Sequence, residues 1–187
     1  MNVGGLSFLL GSIHALAFVN PFASERDEIE DGIIRQMGWV EIPEVINPKF
    51  TKEFNQVLHW VKVAEKSLLA GMTESFISTM QAKQTASLAY FSLFHEVVDE
   101  LDDLICGVDG DTVANRKLYR KIQSGIKLRA KLVERSGSTL WGNPEHLFAC
   151  FYQLRRAFLC LFNDIVGWSE PMRNLRVRVW ESVFTKD

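Results

Sequence analysis

The chain has 187 residues, enough for one domain or a domain with an extension, and 47% of them are hydrophobic against 24% charged. That balance excludes a disordered or low-complexity chain. A formal net charge of −2 excludes a general electrostatic attraction to nucleic acid.

Residues 1–19 are uncharged and apolar. They carry no Lys or Arg near the start and no small-residue cleavage pattern, so they do not read as a signal peptide. The stretch is also too short and too glycine-interrupted to span a membrane. Leu6, Leu9, Leu10, Ile13, Leu16 and Ala17 share one helical face, which predicts a buried first helix over about 6–19. Asn20-Pro21 stops it. Ser24 offers a cap with Asp27 three residues on, and the helix that follows ends at Gly38. Trp39 to Phe50 holds two prolines and no clear period, so it reads as a loop with extended pieces. Thr51 caps a third helix carrying Phe54, Leu58, Val61, Leu68 and Leu69 and ending at Gly71.

Glu74 to about Ile105 contains neither Gly nor Pro and reads as one long helix. Gly107 to Asp111 is a turn, and Thr112 opens a helix to about Arg135. Ser136-Gly137-Ser138 leads to Pro144, a good first-turn residue for the next helix. There Leu147, Phe151, Leu154, Phe158, Leu161, Phe162 and Ile165 fall within about a third of a turn of one another, a wide apolar stripe. This helix is the expected spine of the core. Gly167-Trp168-Ser169-Glu170-Pro171 breaks it, and an arginine-rich segment follows. Leu175 to Trp180 alternates like a strand, but Leu175, Val179 and Val183 also recur at helical spacing. No partner strand is evident, so helix is expected. The predicted fold is all-α, an irregular helical bundle of six to eight helices. Residues 1–167 form the domain and 168–187 a helical connector.

Cys106, Cys150 and Cys160 make no CxxC pair or zinc-type spacing. An odd, sparse count points to free thiols in a reducing, cytoplasmic compartment. Cys150 and Cys160 lie in the spine helix and read as buried small hydrophobes.

Polar clusters carry the candidate chemistry. His95 and Asp99 share a helical face and could present two metal ligands, with Glu145 or His146 completing the set from another helix. An acidic solvated helix end is the plainer reading of His95, Glu96, Asp99, Glu100, Asp102 and Asp103. Eight basic residues and one acidic residue occupy 116–135. Arg116, Lys117, Arg120, Lys121, Lys127, Lys131 and Arg135 share a face able to bind an anion or an acidic partner. Seven acidic residues lie just upstream, over 96–111, so the two segments are expected to be antiparallel neighbours that partly satisfy each other. Arg155 projects at the edge of the spine stripe and is expected to be a buried polar residue paired with Asp or Glu. Arg156 points away from it. His14 and His59 read as core histidines and His146 as a first-turn surface residue. No catalytic motif is present: there is no GxSxG, HExxH, GxGxxG after a strand or GxxxxGK[ST]. The chain is therefore not expected to be an enzyme, and no cofactor or metal is expected.

The closing run, Leu175-Arg176 through Trp180-Glu181-Ser182-Val183-Phe184-Thr185-Lys186-Asp187, resembles a segment of a group of bacterial sigma-54-dependent transcriptional activators. There such a run lies just before an AAA+ ATPase domain. Asn20-Pro21-Phe22 with Glu25-Arg26 and Glu28-Ile29-Glu30 is similar to the same group's amino-terminal region. So are Leu147-Phe148-Ala149 with Phe151, Gln153-Leu154-Arg155-Arg156-Ala157-Phe158 and Ile165-Val166-Gly167. Trp39 to Thr139 carries no matching motif. Lys186 stands where the group has a histidine, and the acidic pocket with Lys of a phosphorylated receiver is absent. The resemblance implies a regulatory domain that controls an AAA+ ATPase beginning soon after Asp187, without itself touching nucleic acid or membrane. Arg173, Arg176, Arg178, Trp180 and Phe184 would then contact that ATPase domain. The apolar remainder of the segment makes a homodimer a second option. A stand-alone helical protein binding a small ligand or metal is the alternative reading.

Overall fold

The computed structural model describes residues 2–42, 46–70, 79–107, 112–134 and 143–184. Among them lie eight helices and no strand: α1 (Val3–Phe18), α2 (Ser24–Met37), α3 (Lys52–Leu69), α4 (Thr79–Glu96), α5 (Val98–Ile105), α6 (Thr112–Val133), α7 (Pro144–Asp164) and α8 (Glu170–Val183). The all-α expectation holds, and the alternating Leu175–Trp180 run is helical. No helix among the described residues is long and apolar enough to cross a membrane.

Local chemistry sets several helix ends. The Thr51 hydroxyl accepts from the Phe54 amide at 3.1 Å, and the Asn143 side chain accepts from His146 at 3.0 Å with Pro144 in the first turn. These bonds satisfy amides that have no partner within the helix. Gly38 closes α2 at φ +87°, a conformation that disfavours side chains. Ser24 does not cap α2. It is the first helical residue, and Ala23 precedes it without a side-chain cap. The corner is held instead by the Asn20 side chain, whose Oδ1 accepts from the Phe22 amide at 3.0 Å while its Nδ2 donates to the Val177 carbonyl of α8 at 3.0 Å. α3 ends at Leu69, and Gly71 lies outside the described residues.

The expected long helix is two. It breaks at Val97, where φ is −112° and ψ 6°, with no Gly or Pro to cause it. Val97, Val98 and Leu101, at and just after the break, are all essentially inaccessible. The proposed start of that helix, 74–78, lies outside the described residues.

α4, not α7, is the spine. It packs against α1, α3, α5 and α6. Its buried Ala82, Ala86 and Ala89 leave room for neighbouring backbones, while Leu88 and Leu93 fill the interior. Opposite Leu93 stands Gly125 of α6, where a Cβ would lie only 2.3 Å from Leu93 Cδ1. α7 lies further out. Leu147, Phe151 and Leu161 are buried, Leu154 and Phe158 only half so, and Phe162 is 41% exposed. Its stripe is divided between two neighbours, with Phe151 meeting Phe94 at 5.3 Å and Phe158 stacking on Phe22 at 5.2 Å. Cys150 and Cys160 are exposed rather than buried, because Cys160 points away from the stripe and Cys150 sits at its edge. α1 is buried as expected through Leu6, Leu9, Leu10, Ile13 and Leu16, although Ala17 is exposed.

Candidate functional site

The acidic stretch is a junction of ion pairs rather than a purely solvated face. Four cations from different parts of the chain converge on it. Lys49, in the loop before α3, meets Asp99 at 2.9 Å. Lys121 of α6 meets Glu100 at 2.5 Å and donates to the Glu96 carbonyl at 2.7 Å. Arg129 of α6 reaches Glu96 at 2.8 Å. Arg155 of α7 grips Asp102 with two bonds, at 2.6 and 2.9 Å, the planar geometry in which a guanidinium fork is strongest. Its role as a buried polar residue paired with an acid is as expected. The pairing anticipated between the acidic stretch and α6 is present through Lys121 and Arg129.

Arg129 is the residue that the sequence pattern left unremarked. It is 3% exposed and touches Glu65 of α3 through Nε and, at 3.3 Å, through Nη2. Ser92 accepts from Arg129 at 3.1 Å and donates to Glu65 at 2.7 Å. The signal was available. Arg129 follows Ile126 by three residues and precedes Val133 by four, and Glu65 lies between Val61 and Leu68 at the same spacings. Each is a charge on an apolar helical face.

His95 is not a metal ligand in waiting. Its ring is enclosed by Phe50, Phe54, Phe91 and Phe94, and Nδ1 lies 2.9 Å from the Phe91 carbonyl, which requires a proton on that nitrogen. Burial pushes its pKa down to about 3, reinforced by the charges of Arg26 and Arg155, while the Phe91 bond opposes the shift. Asp99 is held below the usual carboxylate range because bonds from Lys49 and Asn47 outweigh its desolvation. Glu145 accepts from Tyr119 at 2.9 Å, and His146 is exposed in the first turn of α7. No three His, Cys, Asp or Glu side chains among the described residues gather as a metal site.

The expected anion face is split. Lys121 turns to the acidic junction. Arg116, Arg120, Lys127 and Lys131 remain exposed, and Arg135 lies outside the described residues. Arg116 and Arg120 also line an open groove with Leu104, Asn115, Tyr119, Gln123, Phe148 and Tyr152.

The carboxy-terminal corner is the other constructed site. Arg176 is 5% exposed. Its guanidinium donates to the carbonyls of Leu161 at 3.3 Å, Gly167 at 2.8 Å and Ile165. Leu161 belongs to the last turn of α7, where carbonyls lack helical partners and the helix end is electronegative. Arg176 therefore clamps α8 onto the end of α7. Gly167, at φ +115°, makes the turn between them. Arg173 ties α8 to the α1–α2 corner through Phe22 O at 2.8 Å and Asp27 at 2.6 Å, and Trp180 sits edge-on to Phe22 at 6.0 Å. Of the five residues expected to face a following domain, Arg173 and Arg176 are thus engaged within the chain and Trp180 is half-buried. Arg178 and Phe184 are exposed. So are Leu175, Val183, Val166 and Trp168, the last at 82%.

No protein-family profile, curated protein or solved structure matches the chain.

Proposed function

We propose that this chain is a regulatory and protein-interaction region of a sigma-54-dependent activator, with α8 as the element that couples it to an AAA+ ATPase domain. The observation that carries this reading is the Arg176 clamp. It fixes the middle of α8 by charge-assisted bonds to three carbonyls, while Leu175 and Val183 on the helix and Phe184 at its end stay exposed. A lever between domains needs those two properties together: rigid attachment at one side and an apolar surface to press on a neighbour. Two arrangements of α8 against the end of α7 would give the ATPase an inactive and an active setting.

In this reading the region does no chemistry itself. Its partner is its own AAA+ domain, in the cytoplasm, with a homodimer as a further use of the α8 face. The coding sequence immediately beyond Asp187 tests it. A GxxxxGK[ST] phosphate loop within some tens of residues is expected. A stop codon at that point would overturn it.

A further inference from the structure

We propose that the groove between α5, α6 and α7 binds a small organic anion, a flat apolar body bearing one carboxylate or similar group. The open groove offers about 620 Å³, within the range of roughly 300–1,000 Å³ typical of small-molecule sites. Its apolar wall is built from two helices. Phe148 and Tyr152, one turn apart on α7, stack with centroids 6.5 Å apart and planes 15° from parallel. Tyr119 of α6 meets Phe148 edge-on at 6.5 Å. Leu104 of α5 also lines the groove. Rings set in this way offer a surface for a flat ligand.

Charge identifies the other half of the ligand. Arg116 and Arg120 lie one turn apart on α6 and both line the groove. Neither forms an ion pair with a described residue, whereas Arg26, Arg129, Arg155 and Arg173 each hold a carboxylate. Two guanidinium groups beside an aromatic wall match a carboxylate that can accept bidentate bonds. The polarity also sets the ligand's orientation. The Tyr119 hydroxyl donates to Glu145 at 2.9 Å and is therefore already engaged, which leaves the two arginines as the anion's partners. The ligand's charged group lies toward Arg116 and Arg120, and its ring over Phe148 and Tyr152. Asn115 and Gln123 supply neutral amides for further polar substituents.

The site stands apart from the regulatory reading, because binding is measured on this chain alone. Isothermal titration with 2-naphthoate, its neutral counterpart 2-naphthamide and a short oligouridylate tests it. The expected result is saturable one-to-one binding of naphthoate, with the amide weaker by about tenfold or more. The Arg116→Gln/Arg120→Gln double variant should lose about tenfold in naphthoate affinity and leave the amide unchanged. Tyr152→Ala should weaken both. Both arginines are exposed, so the double variant should keep the wild-type circular dichroism and melting temperature. The proposal is overturned by no saturable binding, by equal affinity for acid and amide, by an unchanged affinity in the double variant, or by tighter binding of the oligouridylate through the same arginines.

Discussion

α6 carries the same residue type in two opposite situations. Arg129 is almost wholly buried, bonded to Glu65, Ser92 and Glu96, and it joins α6 to α3 and α4. Arg116 and Arg120 sit roughly two and a half to three and a half turns earlier, exposed at the groove and without an acidic partner among the described residues. Helical face alone separates them. A cation on the apolar face needs acids from neighbouring helices, and one on the outer face stays available to a ligand. Arginine on this helix is thus buried and paired or exposed according to angle, not composition.

The sharpest way to break that comparison is to truncate the buried arginine. Arg129→Ala leaves Glu65 buried without its cation and should cost about 3–5 kcal/mol in denaturant unfolding. A loss near that of a surface change would mean that the buried cluster does not hold the helices together. Next in size is Gly125→Val on the same helix. Its side chain would collide with fully buried Leu93, so a loss of roughly 2–3 kcal/mol is expected despite the low helix propensity of glycine. An unchanged or raised stability would show that α4 and α6 can separate at no cost.

His95 extends the comparison to a group kept neutral beside two arginines. Its folded pKa, about 3, lies below the ordinary 6.5. Below pH 6.5 the unfolded chain therefore takes up a proton that the folded chain refuses. Stability present at neutral pH is lost as pH falls toward 3, by at most about 1.4 kcal/mol per pH unit from this one group. Between pH 6.5 and 5, His95→Phe should show a shallower loss than the wild type. The difference between the two slopes isolates His95, because Glu30, whose pKa burial raises, is common to both. Identical slopes would show that the ring takes up a proton in place. Smallest of all is the Arg116→Gln/Arg120→Gln variant, expected within about 0.5 kcal/mol of wild type in stability. A large loss would mean that these arginines are structural after all.

Much of this was legible in the sequence, and the exceptions share a cause. The α1 face, the cap at Thr51, the first-turn Pro144, the stop at Gly38, the helical α8 and the acid-paired Arg155 all follow from local spacing. The central helix does not. α4 is central partly because it presents Ala82, Ala86 and Ala89, small residues that weigh little in a hydrophobic pattern yet permit close approach. The phenylalanines of α7 dominate the pattern, but several fill the rim. The break at Val97 is invisible locally because no Gly or Pro marks it. Arg116 and Arg120 were recognisable as part of an exposed basic face. The groove beside them needs residues from three helices and has no local signature. The Arg176 clamp was hidden for the same reason, since its acceptors are backbone carbonyls on another helix.

The most direct measurement of the proposed coupling is ATP hydrolysis by the intact activator carrying Arg176→Ala. Freeing α8 from the end of α7 should change the basal rate by about fivefold or more, while the isolated region keeps its helical circular dichroism. A rate equal to that of the wild type, with the region still folded, would contradict the assignment of α8 as the connecting lever.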